Sequence, residues 1–176
     1  VTNAGGTLTL VTGAGANDSE ATNLTAQSIA ITAGNDITVS GDTIADAVVV
    51  AGAGDVDLGD VTTNVLNAGT STGAVTADFD DALASKATTV VSGAGNDVIS
   101  LNTQTTVFTV STGDGEDEVT ITTTGAETGS TIATEGGDDT VNVNSTEVDT
   151  LTITTGDGDD TINLIAASTT DNINTE

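Results

Sequence analysis

Short stretches of alternating apolar and polar residues recur along the whole chain. Residues 7–12 read Thr-Leu-Thr-Leu-Val-Thr, and residues 28–32 and 150–154 alternate in the same way. A period of two places every second side chain on the same face, which is the pattern of a half-buried β-strand. Gly, Asn and Asp bound these stretches, so the pattern predicts short strands rather than helices.

A glycine-rich acidic loop recurs between these stretches. Its four clearest copies are residues 93–97, 113–117, 135–139 and 156–160. Alignment of the aspartates that close the loops gives Asp18, Asp36, Asp57, Asp78, Asp97, Asp117, Asp139 and Asp160. A repeat of about 20 residues is the signature of a solenoid. We therefore predict an all-β, parallel β-solenoid of the β-helix or β-roll kind, in which each coil contributes two strands and two turns.

Residues 76–87 interrupt the pattern. Phe79 and Leu83 lie four positions apart, Ala is frequent, and Thr76 or Asp78 can cap a helix. We predict one or two helical turns here, or an irregular excursion from the solenoid wall. We expect one continuous domain, with degenerate coils over 1–87 and regular coils over 88–176.

The charge of the chain is extremely one-sided. Lys86 is the only basic residue among 176, whereas 27 residues are Asp or Glu, and the formal net charge is −26. Nucleic acids and anionic lipids both require basic side chains, so the charge excludes these partners. No stretch approaches the roughly 20 apolar residues of a membrane span, and we expect no direct membrane insertion. Self-repulsion opposes compaction, so cations are expected to offset it in the folded chain.

The acidic loops have the chemistry of calcium-binding turns. Glycines allow backbone angles that other residues resist, and adjacent carboxylates such as Asp138 and Asp139 repel each other unless a cation lies between them. Calcium prefers flexible sites rich in oxygen ligands, whereas magnesium demands stricter octahedral geometry. The alternative is that these loops are ordinary solvated turns. The candidate ligands are Asn17, Asp18, Asn35, Asp36, Asp55, Asp57, Asn96, Asp97, Asp114, Glu116, Asp117, Asp138, Asp139, Asp157, Asp159 and Asp160.

The regular loops resemble the RTX nonapeptide G-G-x-G-x-D-x-U-x, in which U is a large aliphatic residue. Residues 92–100 match all but the first glycine, residues 112–120 and 155–163 match similarly, and residues 134–142 keep only the second half. The resemblance implies a parallel β-roll in which Asp side chains and loop carbonyls of successive coils sandwich several calcium ions. With coils of about 20 residues, it implies one file of ions instead of two. A looser likeness in composition links the whole chain to bacterial surface-layer and large adhesin proteins.

These observations favour a mechanical function. We expect a calcium-stabilised structural protein of the bacterial cell surface or extracellular matrix, namely a surface layer, a filament or an adhesin stalk. The alternative is a calcium-dependent recognition module that binds a glycan or ice through a flat face. We expect no enzyme, because a chain with no Arg, no His and one Lys cannot neutralise an acidic polysaccharide.

The ends of the solenoid suggest its partners. Residues 7–10 and 161–164 carry no charge and no Pro, and such strand edges pair readily with another chain. We expect a homo-oligomer or polymer that joins end to end, or flanking segments of a longer chain.

Overall fold

Parallel β-strands account for all of the regular structure in the computed structural model. It describes residues 1–15, 18–79, 87–104, 106–123, 128–145, 150–165 and 172–174. Every pairing between strands is parallel, which confirms the predicted all-β solenoid. The strands are β1 (Thr2–Val11), β2 (Ser19–Ala21), β3 (Leu24–Ala33), β4 (Ile37–Val39), β5 (Thr43–Ile44), β6 (Ala47–Gly52), β7 (Val56–Thr62), β8 (Val65–Ser71), β9 (Val75–Phe79), β10 (Thr88–Val91), β11 (Val98–Gln104), β12 (Phe108–Ser111), β13 (Glu118–Thr123), β14 (Thr128–Ala133), β15 (Thr140–Ser145), β16 (Thr150–Thr154), β17 (Thr161–Leu164) and β18 (Asn172–Asn174).

Two stacks of strands form the main walls of the solenoid. Face A consists of β1, β3, β6, β8, β10, β12, β14, β16 and β18. Face B consists of β2, β4, β7, β9, β11, β13, β15 and β17. Paired residues on adjacent coils lie between 18 positions apart, as for Ser19 and Ile37, and 24 positions apart, as for Val65 and Thr89. These spacings agree with the predicted coil of about 20 residues.

The N-terminal coils have a short third side that the sequence pattern did not predict. Leu24 pairs with Thr43, which in turn pairs with Val61, and all three are fully or almost fully buried. The Thr43 hydroxyl donates a 2.8 Å hydrogen bond to the carbonyl of Leu58, so burial leaves no polar group unpaired at this position. The prediction of two strands per coil is therefore wrong for these coils.

The predicted excursion at 76–87 begins later than expected. Residues 75–79 form β9, which pairs with β7 on one side and β11 on the other. Ala77 and Phe79 point inward and are buried, whereas the outward carboxylate of Asp78 accepts a 2.8 Å hydrogen bond from the Asn102 side chain. The prediction of a helix starting at Thr76 is thus wrong, because the alternation of a strand continues to Phe79. The rest of the predicted excursion, residues 80–86, lies outside the described residues.

The core is a narrow column of aliphatic side chains between the two faces. Val119, Ile121, Leu151 and Ile153 alternate with polar residues along their strands, and all four are at most 1% exposed. The apolar side chains of the outermost described coils, including Leu8 and Ile162, are partly buried and pack against the same column. The core therefore continues without a break from coil to coil, as expected for a solenoid.

The glycines of the acidic loops stack directly on one another. Gly115, Gly137 and Gly158 have φ angles of 149°, 136° and 148°, which side-chain-bearing residues rarely adopt. A Cβ on Gly137 would also collide with the carbonyl oxygen of Gly115, and one on Gly158 with that of Gly137. The loops can therefore approach each other closely only because these positions lack a side chain.

Glu135 is the exception among these loops, and we expect Glu135→Gly to stabilise the chain. Its φ is 71°, while Gly113 and Gly156 at the equivalent positions have φ angles of 91° and 82°. The left-handed conformation costs an L-residue roughly 1–2 kcal/mol, part of which is offset by the greater entropy of glycine in the unfolded chain. The free energy of unfolding in urea should rise by about 0.5–1 kcal/mol.

Glu116→Gly is the matched control for this prediction. It removes the same charge from a neighbouring acidic loop, but Glu116 is not among the residues with positive φ. It should bring no gain, since it adds only the flexibility of glycine. An equal gain in both variants would attribute the effect to charge instead of backbone strain.

Candidate metal centre

The aspartates that close the four regular loops point into the solenoid. Asp97, Asp117 and Asp139 are 0%, 2% and 1% exposed, and Asp160 in the last regular loop is half-buried. Each precedes a strand of face B and takes the inward position before the first aliphatic residue of that strand. We call these four residues the inner file.

Hydrogen bonds from backbone N–H groups to side-chain carboxylates connect the inner file from coil to coil. The N–H groups of Asp97, Asp117 and Asp139 donate to Oδ1 of the aspartate on the following coil at 2.8, 2.9 and 3.0 Å. The N–H of Val75 begins the series by donating to Oδ1 of Asp97 at 2.7 Å. Each carboxylate is thereby fixed in orientation, with one oxygen held against the preceding coil.

The hydrogen bonding of the second carboxylate oxygen, Oδ2, differs from one aspartate of the inner file to the next. Oδ2 of Asp97 accepts a 3.2 Å hydrogen bond from the N–H of Gly93, whereas the buried Oδ2 atoms of Asp117 and Asp139 have no hydrogen-bond partner. A buried carboxylate oxygen without a partner is strongly unfavourable unless it is protonated or meets a cation.

Buried hydroxyl groups accompany the inner file. Ser92, Thr112, Thr134 and Thr155 each lie five residues before one of the aspartates and are at most 3% exposed. The hydroxyls of Ser92 and Thr134 donate to carbonyls of the next coil at 3.2 Å, but those of Thr112 and Thr155 make no hydrogen bond by strict geometry. The interior at this corner of the coil is therefore lined by oxygen atoms, not by hydrocarbon.

Burial perturbs the acidity of the inner file. The pKa of Asp117 is raised from 3.8 to about 6, mainly by burial and to a smaller extent by the charges of Asp97 and Asp139, against the opposing effects of the nearby Thr112 hydroxyl and the Asp97 N–H. Although the hydroxyl is not in strict hydrogen-bond geometry, it is close enough to favour the charged form. The pKa values of Asp97 and Asp139 are also raised, in both cases mainly by burial. The folded chain alone thus holds these carboxylates in an unfavourable environment.

A second set of acidic and amide side chains lies one residue before the inner file and is largely exposed. Side-chain oxygens of Asp36, Asp55, Asn96 and Asp138 accept hydrogen bonds from backbone N–H groups one coil further along, at 2.8–3.0 Å. Glu116 and Asp159 occupy the same position, and their N–H groups are the donors to Asn96 and Asp138. We call these residues the outer file. They tie successive loops together along the surface.

The other candidate ligands lie apart from the inner file. Asp114 and Asp157 are exposed, and their backbones pair with Gly136 between them. Asn35 Oδ1 accepts a 2.6 Å hydrogen bond from the N–H of Gly15. Asp18 lines a shallow acidic groove that Asp36, Asp55 and Asp57 also line, and Asn17 lies outside the described residues.

The strand register corrects the alignment of the N-terminal repeats. Asp57 pairs with Thr76, and Thr76 pairs with Val98, so Asp57 matches the residue after Asp97. It lies on the outward side of β7 and accepts a 3.0 Å hydrogen bond from the N–H of Gly59. The inward position itself is occupied by Ile37, Val56 and Val75, and Asp78 lies still further along its strand. The inner file of carboxylates therefore begins at Asp97.

The buried hydroxyls are the site residues that sequence reasoning missed. Each regular loop begins with Ser or Thr where the RTX nonapeptide has its first glycine. This constant substitution was visible in the sequence. Only the register of the coils places the hydroxyl inside the solenoid beside a carboxylate.

Within the described ranges, no three acidic side chains come together as a metal site on their own. The same part of the chain contains no helix long and apolar enough to cross a membrane. No known protein family, curated protein or solved structure matches this sequence or fold.

Proposed function

We propose that the chain is a structural β-solenoid of the bacterial cell surface or extracellular matrix, stiffened by calcium ions bound along the inner file. The observation that carries the proposal is the pair of buried, unpartnered oxygens on Asp117 and Asp139. They lie in a file of like charges inside a chain of net charge −26. A cation is the simplest way to stabilise that arrangement at neutral pH.

The residues present fit calcium better than other divalent ions. The inner file supplies carboxylates, and Thr112 and Thr155 supply uncharged oxygens. Since acidic side chains alone do not complete a site, backbone carbonyls of the glycine-rich loops would have to provide the remaining ligands. Calcium takes six to eight oxygen ligands in flexible geometry, and zinc sites usually include His or Cys, which this chain lacks entirely.

A mechanical role at the cell surface agrees with this chemistry. Extracellular calcium sites typically have dissociation constants of about 0.1–1 mM and are filled where calcium is abundant. A stack of parallel coils has the form of a rod, and ions between coils would resist its stretching and bending. The proposed partners are further copies of the chain or flanking segments that continue the stack.

We expect Asp139→Asn to lose a calcium site and Asp138→Asn to leave it intact. The two aspartates are adjacent in one loop, but Asp139 is 1% exposed and Asp138 is exposed. Asparagine keeps an Oδ1 that can accept the hydrogen bond from the Asp117 N–H, so the change removes only the charge and replaces one oxygen by an amide nitrogen. Isothermal titration calorimetry with calcium should show fewer sites, or an affinity at least about tenfold weaker, for Asp139→Asn alone.

Two outcomes would contradict the proposal. Equal losses in both variants would show that diffuse screening of the negative charge, not coordination, explains the effect of calcium. No heat of binding in the unmodified chain, at calcium concentrations well above 1 mM, would remove the basis for calcium altogether.

A further inference from the structure

The strands of face A carry no charged residue. None of the nine contains Asp, Glu, Lys or Arg, although 27 of the 176 residues are acidic. On face B, by contrast, Glu20, Asp57, Asp60, Asp78 and Glu118 all lie within strands. The negative charge is therefore segregated away from one wall of the solenoid.

The outward side chains of face A form an apolar centre with a polar border. On β6, Ala47, Val49 and Ala51 point outward, and Val49 is 42% exposed. Val49 pairs with Ala30 on one neighbouring strand and with Asn67 on the other, and Val65 on that strand is 40% exposed. Towards both ends of the face the outward positions are mostly Thr and Ser, among them Thr7, Thr9, Thr109, Ser111, Thr131 and Thr152.

This arrangement has the anatomy of a protein interface. Interfaces combine an apolar centre depleted of charge with a polar rim, whereas a surface of net charge −26 would be expected to carry acids on every side. The outward residues are small, so the face is flat and can pack closely on another flat sheet at about 10 Å.

The face is also large enough for a stable contact. Nine strands at about 4.8 Å spacing extend over about 38 Å, and about five residues per strand give a width of about 16 Å. The flat area is about 600 Å² and side-chain relief increases it, compared with about 800 Å² per partner in a standard interface.

We propose that face A is the surface through which two copies of this chain pair back to back. A second copy fits because face B and the acidic loops would bring carboxylates towards carboxylates, whereas the strands of face A carry none. The carboxylate of Glu135 lies at the loop edge of face A, where it accepts a 3.4 Å hydrogen bond from the Ser111 hydroxyl. A two-fold axis that passes near Val49 and runs along the stack of strands places the apolar centre of one copy on that of the other and lets all nine strands overlap, as required for a self-complementary interface of this area. This pairing is lateral and differs from end-to-end stacking.

Val49→Asp tests the proposal, with Ile44→Asp as the matched control. Ile44 is 39% exposed and lies in β5 on the short third side, so both variants replace an exposed apolar residue of a strand by aspartate. Sedimentation velocity in millimolar calcium, with circular dichroism to confirm folding, should show a dimer for the unmodified chain and for Ile44→Asp. Val49→Asp should raise the dissociation constant about a hundredfold or more, because it brings like charges together across the axis.

A second measurement covers the case in which Val49→Asp fails to fold. The chain has no Cys, so Val49→Cys and Ile44→Cys each introduce a unique thiol. A short bismaleimide should yield a covalent dimer of Val49→Cys but not of Ile44→Cys.

Sodium chloride should strengthen the pairing of the unmodified chain, since it screens repulsion between two acidic chains without weakening an uncharged contact.

Three results would overturn the proposal. The first is a folded unmodified chain that stays monomeric at all concentrations, which would leave face A free for a different surface such as a glycan or ice. The second is equal dissociation of both aspartate variants, and the third is equal crosslinking of both cysteine variants. None of these results bears on calcium binding by the inner file, because the variants lie outside it.

Discussion

Removal of calcium at neutral pH should unfold the coils between β11 and β17 while the coils of β3 to β8 keep most of their structure. The difference follows from the residue at the inward position where each coil enters face B. The later coils have Asp97, Asp117 and Asp139 at this position, whereas the earlier coils have Ile37, Val56 and Val75. Without a cation, the later coils hold stacked buried carboxylates, and the earlier coils hold aliphatic side chains that need no ion.

The expected effect is comparable to the stability of a whole domain. A site with a dissociation constant of about 0.1–1 mM contributes roughly 1.4–2.7 kcal/mol in about 10 mM calcium. Two or three such sites along the inner file would therefore contribute about 3–8 kcal/mol, while folded domains are stable by about 5–15 kcal/mol in total. Since coils stabilise only their neighbours, the loss should remain concentrated where the carboxylates stack.

Hydrogen exchange followed by mass spectrometry, with and without chelator, measures this directly. Peptides covering β13 and β15 should lose protection in chelator, and peptides covering β4 and β7 serve as the internal control. Circular dichroism should show a partial loss of β-structure that added calcium reverses. If β13 and β15 are equally protected with and without chelator, the prediction is wrong. A uniform loss of protection over all coils would show that calcium does not act specifically at the inner file.

The fold could be predicted because two simple signals agree. Alternation of apolar and polar residues specifies strands, and recurrence of the acidic loop specifies the coil length. Val119 and Ile121 point inward as expected because a strand has only two faces and one of them must be buried. The third side at Leu24, Thr43 and Val61 escaped prediction because segments of two or three residues are too short to show a period.

The site was predicted only in outline because an acidic residue does not reveal which way it points. Asp138 and Asp139 look alike in the sequence, yet one is exposed and the other is 1% exposed. A shift of one residue reverses the face of every side chain in a strand, so register decides this, and register depends on pairing with other coils. For the same reason Asp57 was aligned with Asp97, although the structure matches it to Val98.

In chelator, the chain should become more stable as the pH is lowered from about 7 to about 4.5. The pKa of Asp117 is about 6 in the folded chain against an ordinary value of 3.8, and those of Asp97 and Asp139 are raised as well. Between pH 3.8 and about 6, Asp117 keeps a proton in the folded chain that it has released in the unfolded chain. The free energy of unfolding is therefore highest below about pH 4 and falls as the pH rises through about 6.

Asp117→Asn separates this effect from the general charge of the chain. For Asp117 alone, the difference between 3.8 and about 6 corresponds to a change on the order of 2–3 kcal/mol. Asparagine retains an Oδ1 acceptor for the Asp97 N–H, and its amide can donate towards the Thr112 hydroxyl, so the variant leaves no buried charge at this position. Calcium-free Asp117→Asn should thus be more stable than the unmodified chain at pH 7 but similar to it near pH 4.

Circular dichroism in chelator at a series of pH values, including pH 7, measures the folded fraction of the coils between β11 and β17 in both chains, with Glu116→Gln as the control. At pH 7 these coils of the unmodified chain should be largely unfolded. Glu116 is the exposed neighbour of Asp117, and its replacement removes one negative charge without altering the interior. It should follow the unmodified chain at every pH. In saturating calcium the order should invert, because Asp117→Asn can no longer supply the oxygens that would coordinate an ion. A calcium-free chain that is more stable at pH 7 than at pH 5, or an Asp117→Asn variant that is less stable both with and without calcium, would show that the buried carboxylate stabilises the fold by itself and that no cation is needed there.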